Sequence, residues 1–257
     1  MNIFATIVLY IERKGHMKNI VKFNPVSELT RLSVPSPKPS REYMPEWYKS
    51  MPAFQAGKPS FNDKNGITDR TIKMCMPFAD SLSMGYIQET WQEINFAFEE
   101  IEEGKLSFNY YYPTKPDIMG IRNQGINHYP IPDEFYQFEL TWHPVWIPQL
   151  PKGYSAIITH PFNRTDLPFY TLTGIIDCDT YNHSEEGSNL PFLLKNNFTG
   201  IIPIGTPMYQ IIPFRRDSWK SESNEYNPEL QIHSIQKLRK HFWGGYKKNN
   251  WIKKNYN

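Results

Sequence analysis

Cysteine is scarce in this chain, and neither sign of charge is in strong excess. Among 257 residues there are two cysteines, Cys75 and Cys178, and both lie in apolar runs. This disfavours a disulfide-stapled scaffold and predicts small buried side chains in a reducing compartment. The net charge of +2 provides no whole-molecule field that would attract nucleic acid.

Long hydrophobic runs are also missing. The opening MNIFATIVLYI is too short to span a bilayer, and it lacks the basic start and small-residue cleavage site of a secretory signal. We therefore expect a soluble protein with no membrane partner. Met17 begins a plausible start of its own, so residues 1–16 are interpreted as an upstream extension or as residues added in cloning.

Several motifs of familiar chemistry are absent. The sequence contains no Walker phosphate loop, no dinucleotide glycine fingerprint, no cysteine zinc motif and no His-Glu-x-x-His pair. An iron site of two histidines and one carboxylate would need His143, His160 or His183 beside the acids of the β region. The His-x-Asp of such sites is missing, so no metal ligand is predicted.

What is present is a series of short apolar segments with a period of two. Trp91, Ile94, Phe96 and Phe98 precede the acidic turn EEIEEGK, after which Leu106, Phe108, Tyr110 and Tyr112 alternate again, as in a β-hairpin. A strand is also expected in the first half of residues 71–87. Further strands are predicted at 138–146, 154–160, 169–178, 190–194, 201–204 and 208–214. The fold class is mainly β: a β-clip, roll or sandwich of short, mostly antiparallel strands.

One helix is predicted near the C-terminal end of the sequence. Asn227 is a suitable cap and Pro228 a suitable first-turn residue. Apolar residues then recur every three or four positions until Gly244, which predicts a stripe that packs onto the sheet. These residues are Ile232, Ile235, Leu238 and Phe242.

Composition divides the chain into four parts. After the extension at 1–16, residues 17–66 form a proline-rich extended arm, in which Pro45 starts one helical turn and Trp47 anchors the arm. Residues 67–221 form the main β domain, and residues 222–257 form the helix and a basic aromatic tail without acids after Glu229. The tail's rings are expected to dock on the domain, and nucleic acid is the less favoured partner.

The most informative polar feature is the acid pair Asp177 and Asp179, at the end of the β-type run GIIDCDTY. Carboxylates at this place can hold a water or a metal. They can also end the strand and cap the following turn, which is the blander interpretation. Gln210 similarly either binds a ligand or forms hydrogen bonds with backbone groups at a sheet edge.

Two family resemblances accompany these residues. The segments KMCMPFADSLSMGYI, GYSAIITHPFNRTDLPF, LTGIIDCDTY and GIIPIGTPMYQIIPF resemble an uncharacterised family of tailed-phage proteins. This resemblance covers most of the chain from about residue 45 and implies a viral origin, with a place in the host cytoplasm or the virion. It carries no established activity.

The second resemblance is weaker and is to the dUTPase and dCTP deaminase superfamily, whose folds are β-clips. It is carried by Gly174, Asp177, Asp179, Gly205 and Gln210. It implies that Asp177, with Asp179, acts catalytically on water while a polyphosphate is neutralised by Mg.

In the same resemblance, Tyr181 would pack on the sugar, and Arg164 and Gln210 would bind phosphate. The likeness departs from the pattern at Thr180, which adds a residue before the tyrosine, and at Pro207, where an arginine is usual.

The sequence leaves three functions open. The first is a phage accessory protein with a pocket near Asp177 for a small, nucleotide-like anion. The second is a Mg-dependent dUTPase-like pyrophosphatase. The third is a virion structural or host-interaction protein in which the arm and tail contact neighbours, and a homo-oligomer is compatible with all three.

Overall fold

Short β-strands are the main elements of this protein. The computed structural model describes residues 19–62, 66–102, 105–122, 130–180, 189–241 and 244–257. The strands, numbered along the chain, are β1 (Lys22–Pro25), β2 (Lys38–Pro39), β3 (Ser60–Asn62), β4 (Gly66–Thr68), β5 (Tyr86–Glu89), β6 (Ile94–Glu102), β7 (Lys105–Tyr111), β8 (Met119–Ile121), β9 (Leu140–Trp142), β10 (Trp146–Gln149), β11 (Tyr154–Thr159), β12 (Phe169–Thr171), β13 (Gly174–Ile176), β14 (Leu190–Leu194), β15 (Gly200–Ile202) and β16 (Pro207–Arg215).

Helices are short and fewer. They are α1 (Glu28–Ser33), α2 (Glu46–Ser50), α3 (Met76–Ser83), α4 (Pro228–Arg239) and α5 (Gly245–Asn249), with 3₁₀ turns at Ser40–Tyr43 and Ile72–Met74. Within the described ranges, no helix has the length and apolar character needed to cross a bilayer.

The strands form antiparallel sheets. The largest has the order β13-β11-β16-β5-β2, a second has the order β12-β14-β9-β8, and a third has the order β15-β6-β7. Two further pairs are β1 with β10 and β3 with β4. The predicted mainly β fold is confirmed, and its layered sheets fit a sandwich or roll.

Side chains from the three larger sheets meet in one core. Trp142 of β9 stacks on Phe192 of β14 with ring centroids 3.7 Å apart. The Trp142 indole N–H donates to the Thr171 hydroxyl (3.0 Å), which donates to the Met208 carbonyl of β16 (2.7 Å). These buried polar atoms are thus satisfied by a chain of hydrogen bonds that joins two sheets.

The predicted hairpin is confirmed. β6 and β7 pair with Phe96 opposite Tyr110 and Phe98 opposite Phe108. The strand expected in the first half of residues 71–87 is wrong, because this segment forms the 3₁₀ turn Ile72–Met74 and then α3. Pro77 lies in the first turn of α3, where a missing N–H costs nothing.

The proline-rich segment belongs to the sheets as well as to the surface. β1 pairs with β10 and β2 pairs with β5, so the segment adds strands to the domain. Pro45 does precede a helical turn, α2. The expected anchor Trp47 is partly exposed, however, and the deeply buried ring is that of its neighbour Tyr48.

The C-terminal helix begins as predicted, but its packing differs. The Asn227 side chain accepts hydrogen bonds from the backbone N–H groups of Glu229 (3.0 Å) and Leu230 (3.2 Å). The expected packing of its apolar stripe onto the sheet is wrong, since every residue of α4 is exposed. Phe242, the last residue of the predicted stripe, lies outside the described residues. The tail that follows does dock: the Trp251 indole N–H donates to Asp80 of α3 (2.9 Å).

Tyr209 generates a stability prediction. Its ring is buried, and its hydroxyl has no hydrogen-bond partner among the described residues. Because that hydroxyl is desolvated without compensation, Tyr209→Phe should leave the free energy of unfolding within about 0.5 kcal/mol of wild type or raise it. Urea denaturation measures this.

The matched control is Thr171→Val, which removes a buried hydroxyl that has two partners. It should cost about 1–3 kcal/mol, because the Trp142 N–H loses its acceptor. If the two variants lost equal free energy of unfolding, the Tyr209 hydroxyl could not be a buried group without a partner.

Candidate functional site

The acid pair follows β13 directly. Since Ala156 pairs with Ile176, Asp177 comes to lie beside Ser155 of β11, whose hydroxyl donates to Asp177 Oδ1 (2.6 Å). Asp179 Oδ2 accepts a hydrogen bond from the backbone N–H of Gly153 (2.7 Å), just before β11. The Asp177 side chain is 64% exposed, whereas that of Asp179 is 2% exposed.

Arg216, immediately after β16, connects the two acids. Its Nη1 donates to Asp179 Oδ1 (2.9 Å) and lies 3.1 Å from Asp177 Oδ1, and its Nη2 pairs with Asp179 Oδ2. Its backbone N–H donates to the Gly153 carbonyl (2.9 Å). The network therefore ties together the ends of β11, β13 and β16.

This network keeps both acids ionised. The hydrogen bond from Arg216, followed by that from the Gly153 N–H, lowers the pKa of Asp179 to about 2. The Ser155 hydroxyl, and after it Arg216, lowers the pKa of Asp177 below its usual range. A general base works best with a pKa near the working pH, so both acids are better suited to a structural role than to proton transfer.

Gln210 and Arg164 are engaged in a different network. The Gln210 side chain is buried, accepts from the Phe162 N–H (2.8 Å) and donates to the carbonyls of Ser81 and Met84. Arg164 donates to Asp166 through Nε (2.9 Å) and Nη2 (2.8 Å). Both line a cavity of about 10 Å³, which has room for about one water.

The structure does not bring the acids to these two residues. Gln210 lies opposite Thr159, four positions along β11 from the Ser155 that contacts Asp177. At the rise of a strand this is about 13 Å along the sheet. Tyr181 lies outside the described residues. Asp177, Arg164 and Gln210 therefore do not form a single nucleotide pocket.

The two histidines of the β region that the structure describes, His143 and His160, are surrounded by protein groups. His183 lies outside the described residues. His160 Nδ1 accepts from the Thr171 N–H (3.3 Å), and its Nε2 contacts the Arg164 carbonyl (3.0 Å). Burial lowers the pKa values of His160 and His143. Among the described residues no three His, Cys, Asp or Glu side chains are grouped to hold a metal.

A cleft of about 290 Å³ lies elsewhere, between α5 and the 3₁₀ turn that precedes α3. Its walls include Met74, Cys75, Met76 and Tyr246, and its rim carries Arg70 and Lys247. None of the described residues that line it is acidic. It is therefore an apolar cleft with cationic groups at its edge, a combination that suits an organic anion.

A glycine pair at the start of α5 forms one side of this cleft. Gly244 has a φ of +67°, in the left-handed region that favours glycine. At Gly245 a Cβ would lie 2.1 Å from the Leu238 carbonyl oxygen, so only glycine allows this approach of the two helices. The cleft brings together residues about 170 positions apart, so no local motif could have predicted it.

A second cleft, of about 320 Å³, lies between the N-terminal segment and the tail. Tyr86, Tyr154, Lys254 and Tyr256 are among its walls. Its cation Lys254 is already paired with Asp80 (2.7 Å). Lys247 in the cleft beside Cys75 has no ion pair with the described residues, so this cleft is the better candidate for an anion.

Comparison of the chain with known protein families finds no matching family model, and comparison with curated proteins finds no matching protein.

The acid network generates a prediction on pH. Because the pKa of Asp179 is lowered from 3.8 to about 2 on folding, its contribution to stability is present above about pH 4 and is lost as the pH falls towards 2. Asp179→Asn should therefore be less stable than wild type at neutral pH. The two unfolding free energies should converge near pH 2.

Urea denaturation at several pH values measures this difference. Asp133→Asn, at an exposed acid with no ion pair among the described residues, is the matched control and should follow wild type. A loss in Asp179→Asn that is the same at every pH would rule out the ionised network as its cause.

Proposed function

We propose that this protein is a non-catalytic phage accessory protein that binds a small organic anion. The cleft beside Cys75 carries the proposal, because it combines methionine and tyrosine walls with the lysine Lys247. Such a surface suits a ligand with one anionic group on an apolar body. The resemblance to tailed-phage proteins supports the viral origin. The sequence alone led us to expect a small, nucleotide-like anion near Asp177, so both the kind of anion and its location differ from that expectation.

The position of Cys75 allows ligand occupancy to be measured directly. Cys75 is half-buried and lines the cleft, while Cys178 is buried and its pKa is raised by burial to about 11. N-ethylmaleimide should therefore modify Cys75 and spare Cys178. Decanoate or 1-naphthalenesulfonate, at about ten times its dissociation constant, should slow modification of Cys75 about tenfold, as read by mass spectrometry.

Charge is tested in the same assay. Lys247→Glu should abolish protection by both anions, whereas Lys253→Glu, at an exposed lysine of the tail that does not line the cleft, should retain it. Decanol should protect less than decanoate. If neither anion slows the reaction, or if Lys247→Glu is protected as well as wild type, the cleft is not an anion site.

The dUTPase-like alternative has its own test. Asp177 and Asp179 are held by Arg216, and Arg164 and Gln210 are occupied by protein groups. We therefore expect no pyrophosphate release from deoxynucleoside triphosphates with Mg. Release that disappears in Asp177→Ala would establish the hydrolase instead.

A further inference from the structure

The C-terminal part of the chain is joined to the sheets by an exposed connection. Residues 217–227 contain neither helix nor strand, and every residue from 215 to 240 is exposed. No described residue from 217 to 257 is fully buried. Segments with few buried contacts open at a lower free-energy cost than the core does. This part of the chain is therefore able to leave the domain while the sheets stay folded.

The carboxylate of Asp80 in α3 holds the far end of this part. The Trp251 indole N–H lies 3.1 Å from Asp80 Oδ1 and 2.9 Å from Oδ2, and the Lys254 ammonium lies 2.7 Å from Oδ2. The Asp80 side chain is only 15% exposed, so these contacts are partly shielded from water and are stronger than ordinary surface ion pairs. The Tyr256 ring also packs edge-on against Tyr86, with centroids 6.0 Å apart.

The same helix carries the thiol of the cleft. Cys75 is the N-cap residue of α3, five positions before Asp80. Residues 244–247, at the start of α5, form the opposite side of the cleft from Cys75. When the contacts at Asp80 are broken, this side of the cleft loses its attachment to α3.

We propose that residues 244–257 form a strap that docks on the domain and detaches from it as a unit, with the contacts at Asp80 as its latch. The docked strap completes the cleft, and the detached strap leaves Cys75 open to solvent. An anion that needs both sides of the cleft binds only the docked form, so it favours docking by linkage. This last step rests on the proposed anion site, whereas the strap itself does not.

Reactivity of the thiols tests the latch without any ligand. Trp251→Ala removes the indole donor and leaves the charge near Cys75 unchanged, so N-ethylmaleimide should modify Cys75 about tenfold faster than in wild type, because a hydrogen bond to a charged group is lost. Trp219→Ala is the matched control, since Trp219 is 88% exposed, and its Cys75 should react at the wild-type rate. The buried Cys178 should stay slow in both variants. Equal Cys75 rates in the two variants, or exposure of both thiols together, would overturn the strap.

Hydrogen exchange read by mass spectrometry tests whether the release is local. Asp80→Ala should speed exchange about tenfold in residues 244–257 and leave β11 and β16 unchanged, because the latch does not belong to the sheets. Asp133→Ala, at an exposed acid, should match wild type throughout. Unchanged exchange in residues 244–257, or faster exchange in the sheets as well, would show that Asp80 is no latch.

The coupling to a ligand is tested last, with decanoate. It should slow exchange of residues 244–257 in wild type, and Trp251→Ala should bind it about tenfold more weakly. Equal binding by the two proteins would overturn the coupling. Faster release in Trp251→Ala with no effect of decanoate on wild type would support the strap and contradict the anion site, so the two failures are distinguishable.

Discussion

The placement of β16 between β11 and β5 is the constraint on which most of this structure depends. One strand of nine residues supplies Tyr209 and Ile211 to the core, and its Met208 carbonyl receives the hydrogen bond that links it to the four-stranded sheet. On the opposite face, Gln210 binds backbone groups of α3 and of the loop after β11. Directly after the strand, Arg216 holds the two acids.

This arrangement explains why the acid pair Asp177 and Asp179, the most informative motif of the sequence, is not the best candidate for a ligand site. The phrase GIIDCDTY places two carboxylates at a strand end, where catalytic acids often lie. Here Arg216, directly after β16, forms ion pairs with both acids, and a backbone N–H donates a further hydrogen bond to Asp179. The same residue types therefore serve to join three strand ends.

Local patterns predicted the elements well and their partners poorly. The alternation in β6 and β7 was sufficient to predict the hairpin, because both strands and the turn are adjacent in sequence. Asn227 and Pro228 likewise predicted where α4 begins. The segment 71–87 was misread because a short apolar run fits a strand or a helix equally, and Pro77 was the signal that favoured a helix start. The role of Arg216 depends on Asp177 and Asp179, which are distant from it in sequence and which periodicity does not report.

The shape of the cleft beside Cys75 and the direction in which the apolar residues of α4 face both depend on how the chain turns back after α4. The close approach at Gly245 turns α5 against the end of α4, and Gly244 gives the backbone the left-handed conformation that this turn requires. The tail then reaches Asp80, where Trp251 and Lys254 bind the same carboxylate. Because α5 forms a wall of the cleft and also holds the end of α4, this single attachment sets both the shape of the cleft and the direction in which the stripe faces. Two residues of the basic, aromatic tail, Trp251 and Lys254, thus dock on an acid of α3.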